Sequence, residues 1–182
     1  MKDQTYYNLV AGGLALGVVV LLVVWTGLTV GAGTGTASGS SSPPAPAHMY
    51  LTVQINPVTG TPQYSPANFT VPAGEVIFTI IDYDSPMAWS ACPCNVSGTV
   101  GGTETVNGTS LTAVPNTNAA HTFTITSLNV NVVSPGSSTT TFTLQLSPGT
   151  YHWVCLAPCG ANGYSGAPMG VPGWMAGTMT VS

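Results

Sequence analysis

From Asp3 to Ser182 the chain contains no lysine or arginine, and Lys2 is the one cation against five acidic residues. Salt bridges are limited to whatever Lys2 reaches, so apolar burial and backbone hydrogen bonds must hold the fold. The same count excludes nucleic acid as a partner, because nothing is available to neutralise phosphates or to build a basic phosphate cradle. Charged residues make up 3% of the chain, where an ordinary soluble domain has about a quarter. Hydrophobics reach 44%, and the 22 glycines and 15 prolines lie among many serines and threonines. That mixture favours turns and strands over helices. With so few titratable groups, the expectation is a fold almost indifferent to pH.

Three segments follow one another. Leu9 to Val30 is an uncharged apolar run, long enough to cross a bilayer as a helix, with Tyr6, Tyr7 and Trp25 near its ends. The alternative is a cleaved signal peptide, but the run is too long for that hydrophobic region. Residues 1–30 are therefore read as an N-terminal membrane anchor. Lys2 on its short side places the remainder on the extracytoplasmic face. Residues 31–47, GAGTGTASGSSSPPAPA, form a Gly/Ser/Pro linker with a short stiff spacer at Pro43, Pro44 and Pro46. Residues 48–182 are large enough for one domain with its own core.

That domain reads as all-β. Met49, Leu51, Val53 and Ile55 alternate with polar residues, as do Phe123 and Ile125, and then Phe142, Leu144 and Leu146. Val76 to Ile81 is a continuous apolar strand after the turn Pro72-Ala73-Gly74. Pro148-Gly149 turns the chain into Tyr151 to Cys155, and Met179 and Val181 close the last strand. Strands at this spacing predict a sandwich or barrel. GGTETVNG, around Glu104, reads as a turn-rich connector and not a phosphate loop, since no lysine or strand–turn–helix context follows.

Candidate sites are few. Asn68, Asn95 and Asn107 each begin an N-x-[ST] sequon, able to carry glycans on an outward domain. Cys92, Cys94, Cys155 and Cys159 are the four cysteines. On an exported domain they are candidates for disulfides. One intervening residue disfavours pairing Cys92 with Cys94. The expectation is two bridges tying the Cys92/Cys94 loop to the Cys155/Cys159 loop, with a tetrathiolate zinc site as the alternative. Asp82 and Asp84 share a face at a strand end, but that spacing alone points to no carboxylate chemistry. No G-x-S-x-G elbow is present.

The stretch AAHTFTITSLNVNVVSPG, with TTTFTLQLSPGTYHWVCLAPCG after it, resembles the copper domain of subunit II of haem–copper oxidases, a cupredoxin. The resemblance implies a Greek-key β-sandwich or barrel behind one N-terminal transmembrane helix, as in the archaeal-type branch. In that family a dinuclear copper is held by two thiolates, two imidazoles, a thioether and a backbone carbonyl. The first imidazole maps on His121, the thiolates on Cys155 and Cys159, and the carbonyl on Ala157. The second imidazole falls on Gly163 and the thioether on Gly166, neither of which has a side-chain donor.

The three histidines decide the expected chemistry. His152 lies an odd number of residues before Cys155 on one strand and should face away from it. His48 begins the first strand, where nothing requires it to reach the site. His121 then stands alone among imidazoles, either as a metal ligand or as a hydrogen-bonded histidine at the rim. Met169 or Met175 could replace the lost thioether, although such residues usually pack. The resemblance thus implies a membrane-bound, subunit-II-like component of a quinol-oxidising terminal oxidase that has lost its copper. It would have no catalytic residues or cofactor of its own, and other membrane subunits and lipid as partners. The alternatives are a stand-alone electron carrier, with one copper on His121, Cys155 and a methionine, and a non-redox cell-surface domain.

Overall fold

The computed structural model describes residues 45–88, 92, 94–157 and 171–182. The anchor expected over Leu9–Val30 and nearly all of the linker lie outside them, as do Cys159 and Met169. Among the described residues no helix is long and apolar enough to cross a membrane.

The described residues form two β-sheets. The strands are β1 (Ala47–Ile55), β2 (Pro62–Ser65), β3 (Asn68–Val71), β4 (Gly74–Asp82), β5 (Glu104–Val106) and β6 (Thr109–Leu111). They continue with β7 (Ala119–Ile125), β8 (Val130–Pro135), β9 (Ser138–Leu146), β10 (Gly149–Val154) and β11 (Ala176–Val181). One sheet runs β2-β1-β4-β9-β5-β6 and the other β3-β11-β10-β7-β8. Two pairings are parallel, β1 with β4 and β3 with β11, and the other ladders are antiparallel. The all-β expectation holds, and two separate sheets make it a sandwich.

Alternation does what period-two burial demands. Along β9 every second residue from Ser138 to Leu146 is buried, and Leu51 and Val53 of β1 enter the same core. Aromatic rings fill its centre. Phe78 stacks on Phe142 at 5.2 Å between centroids, Phe123 stacks on Trp153 at 5.3 Å, and Tyr64 meets Trp153 edge-on at 5.0 Å. The Tyr64 hydroxyl donates to the Thr122 carbonyl at 3.2 Å, which gives this buried phenol a partner.

Two local expectations are corrected. In β7 the threonines do not face solvent, because all seven residues are buried. Thr122 Oγ1 accepts the Leu156 N–H at 2.7 Å and Thr124 Oγ1 donates to Asn131 Oδ1 at 2.7 Å, so loop and neighbouring strand cover the polar side. The connector around Glu104 is itself the hairpin β5–β6, turned by Asn107 and Gly108 at φ +47° and +86°. Asn-Gly with both residues at positive φ is the strongest short hairpin signal. Gly108→Ala should cost about 1 kcal/mol through backbone strain alone, read from the denaturant midpoint.

Candidate functional site

Three elements converge on His121. It lies on β7, where the pairing with β8 shifts register between Ala119 and His121, an irregularity of the kind that re-aims a side chain. Cys155 follows the last residue of β10, and β10 meets β7 at Val154 opposite Thr124. Asp84 follows β4 in a tight turn, its N–H donating to Asp82 Oδ1 at 2.9 Å. His121 and Cys155 are both fully buried.

The contacts are specific. His121 Nε2 lies 3.1 Å from Asp84 Oδ2, and the imidazole also hydrogen-bonds the Cys155 side chain. Cys155 Sγ accepts the Thr122 N–H at 3.3 Å and faces the Ala157 carbonyl at 3.6 Å. Its own N–H is bound by the Met175 carbonyl at 2.8 Å. Behind Asp84, the buried Asp82 accepts the Ser134 hydroxyl at 2.9 Å, and Ser134 is the register partner of His121. Gly136, at the β8–β9 turn, permits this approach: a Cβ there would lie 2.4 Å from the Ser85 backbone, one residue past Asp84.

Burial and charge set the protonation states. Burial pulls the His121 imidazolium down, but Asp84, Cys155 and Asp82 together outweigh it and lift the group from 6.5 to about 9. The His121 hydrogen bond holds the Asp84 carboxyl below the usual carboxylate range. Burial pushes Asp82 up to about 6, against the opposing pull of His121. The His121 and Asp84 shifts both favour a charge-assisted His121–Asp84 pair, with the Cys155 sulfur beside it. The expectation of pH indifference runs against this site, since Asp82 and His121, two of the few ionisable groups, are buried in it.

The predicted site residues separate clearly. His121 and Cys155 come together, and Ala157 places its carbonyl beside the sulfur. Of the hydrogen-bonded rim reading of His121, the hydrogen bond holds and the rim placement does not, because the side chain is fully buried. His152 is exposed and lies 3.4 Å from Thr178 Oγ1, facing away as strand alternation requires. His48 goes elsewhere: its Nε2 is 2.9 Å from Thr79 Oγ1 and its ring stacks on Tyr50. Met175 is packed in the main core. Asn68, Asn95 and Asn107 are all exposed.

The expected cross-loop bridges are corrected. Cys92 and Cys94 are bonded to each other, with Cα atoms 5.1 Å apart, while Cys155 is a buried thiol. That separation lies inside the range a disulfide spans, so the single intervening residue is no obstacle. Alkylation of the unreduced native protein should leave Cys92, Cys94 and Cys155 unlabelled. Denaturation without reductant should then expose Cys155 alone of the three, which peptide mapping reads directly.

Sequence reasoning notes Asp82 and Asp84 as a pair at a strand end but gives them no role, and it misses Thr122 and Ser134. Asp84 lies far along the chain from His121, and only the folded sandwich joins them. A dinuclear copper would need a second imidazole here. Of the chain's three imidazoles only His121 is at the site, and among the described residues no three of His, Cys, Asp and Glu could hold a metal ion. The two-imidazole centre does not fit.

No protein-family model and no curated protein matches the chain. Among solved structures it is similar to a multicopper oxidase known from a crystal structure, at 13% identity and a TM-score of 0.36. The match covers 77% of this chain and 45% of that one, so the chain spans less than half of that oxidase.

Proposed function

We propose that the chain is a membrane-anchored, cupredoxin-type component of a respiratory terminal oxidase, resembling subunit II and working without the dinuclear copper. The observation that carries this reading is the meeting of His121, on one strand, with Cys155, after the aromatic strand, with the Thr122 N–H donating to the sulfur. These are two of the residues that the sequence resemblance assigns to the metal centre, joined with the Ala157 carbonyl but without a second imidazole. In this reading the apolar run Leu9–Val30 is the anchor and the domain sits on the extracytoplasmic side. Its partners are other membrane subunits and the surrounding lipid. The domain caps a catalytic subunit that takes electrons from quinol within the membrane. Asn68, Asn95 and Asn107 then face the outside, available for glycans.

One observation favours a second reading, a carrier with a single copper. Cys155 is a thiol and not half of a disulfide, and its sulfur lies beside His121. Cys159 and Met169 are the further donors this reading would draw on. Proton and metal compete for the imidazole and the thiolate, so such a site would fill less readily as pH falls.

Purification of the native complex separates the readings. An oxidase component co-purifies with haem-bearing chains and brings no copper of its own. In the isolated protein, copper(II) should give no intense thiolate-to-copper band in the visible. A stable blue or purple band that vanishes in His121→Ala and Cys155→Ser overturns the copper-free reading and establishes the carrier.

A further inference from the structure

Glu104 is the second buried carboxyl group of the sandwich, and it lies outside the His121 cluster. It sits on β5 and is 1% exposed. Its Oε2 accepts the Val133 N–H of β8 at 2.9 Å, so one side chain bridges the two sheets. Its Oε1 has no hydrogen-bond partner among the described residues, and neither has the buried Thr140 Oγ1. Thr140 is opposite Val106 on β9, and strand alternation puts Glu104 on the same inward face. The hairpin carrying Glu104 is held to β9 at two register pairs, Thr105 with Thr141 and Val106 with Thr140, and at its turn by Asn107, whose N–H donates to the Thr139 carbonyl and whose Oδ1 accepts the Thr139 N–H, both at 2.9 Å. Beneath it lies a minor core of Val114, Ala119 and Val133, packed by Val106, Leu111 and the two bonded cysteines.

Among the described residues no counter-charge is within reach. The strands packed around Glu104, β6, β8 and β9, contain no ionisable residue, and Cys92 and Cys94 are consumed in their disulfide. Of the ionisable groups on β7 and β4, His121 is engaged with Asp84 and Cys155, and Asp82 with Ser134 and the Asp84 N–H. Glu75 lies at the far end of β4, opposite Gln145. The chain has no lysine or arginine beyond Lys2 to bring in. A carboxylate formed here has one N–H donor and low-dielectric surroundings, and water is its remedy.

We infer that the β5–β6 hairpin is a pH-operated flap, latched onto β8 while the Glu104 carboxyl is neutral and released when it ionises. Burial, partly offset by the Val133 N–H, moves this group from 4.5 up to about 7. The sign follows: the latch is complete below the open-state value and is lost as pH rises through the closed-state one. Release bares the minor core and the Cys92–Cys94 disulfide, so the flap couples ambient pH to the accessibility of one face of the sandwich. This device does not depend on the oxidase reading.

Hydrogen exchange on the full chain in detergent micelles, corrected for the intrinsic pH dependence of exchange, tests it. The opening equilibrium of the Glu104–Leu111 amides should grow about thirtyfold between about pH 5.5 and about pH 8.5, as linkage to one buried carboxyl requires. In Glu104→Gln, which keeps an acceptor for the Val133 N–H, the opening should stay flat. A flat wild type, or an equal rise in the variant, overturns the flap. A second measurement needs no variant. Glu75 and Glu104 are the chain's only glutamates, so selective carboxyl 13C labelling gives two resonances. One should titrate near pH 7. Both titrating below about pH 5.5, or one never titrating, overturns the proposal however the variant folds.

Discussion

Gly177→Ala should be among the most damaging single substitutions in the sandwich. Gly177 lies on β11 where β3 and Trp153 close over it. A Cβ there would lie 1.9 Å from the Ala67 carbonyl oxygen and 2.8 Å from the Trp153 ring. Neither can yield cheaply. The Ala67 carbonyl accepts the Trp153 indole N–H at 2.9 Å and the Thr178 N–H at 3.3 Å. Relieving the clash moves β3 off β11, breaks both bonds and displaces a ring stacked in the aromatic core. Overpacking costs about 1–3 kcal/mol and each lost hydrogen bond about 1 kcal/mol, so the total is about 3–5 kcal/mol. Against a typical domain stability of about 5–15 kcal/mol this is a large share, visible as a fall in Tm of about 10 °C or more. Gly74→Ala is the control, since Gly74 has φ +105° with nothing within 4 Å of a Cβ. It should lose only the backbone term, about 1 kcal/mol. An equal loss in both variants would show that the close packing over Gly177 is not what the alanine disturbs.

The strands were legible because burial imposes a period. Val53, Phe142, Leu144 and Met179 all point inward as their spacing requires. The β5–β6 hairpin was overlooked although Asn107-Gly108 is a strong turn signal, because its strands are three residues each and show no period. Cys155 and His121 were found by resemblance, and the structure brings them together. What the sequence could not show was the company they keep. Asp84 reaches His121 through a turn after β4, and the β8–β9 turn is packed against that turn at Gly136. No local pattern encodes such a contact. In sequence Glu104 reads as part of a polar connector, since a lone carboxyl among Gly and Thr gives no hint of burial. The cysteine pairing differs for another reason: loop geometry, and not the single-residue spacing, decides that Cys92 bonds Cys94.

Stability should fall as pH rises, the opposite of the indifference that 3% charge suggests. Three groups bind protons more tightly in the folded protein than in the unfolded chain. Burial lifts Glu104 from 4.5 to about 7 and Asp82 from 3.8 to about 6, while acidic neighbours lift His121 to about 9 despite its burial. A raised folded-state value contributes stability that is complete below the unfolded value and lost as pH climbs through the folded one. Asp84 runs the other way: its contribution is lost as pH falls below the ordinary carboxylate range. It is ionised in both states above about pH 5 and drops out of the comparison there. Each tenfold gain in proton affinity on folding is worth about 1.36 kcal/mol. Between about pH 5 and about pH 9 the two buried carboxyls alone should therefore remove about 4 kcal/mol, and His121 adds in the same direction. Urea midpoints measured at the two ends of that window should differ accordingly, with the acid side more stable. Glu104→Gln combined with Asp82→Asn should flatten most of the slope, leaving the part owed to His121. A wild type equally stable at both ends would mean that these carboxyls reach water in the folded protein and are not held neutral between the sheets.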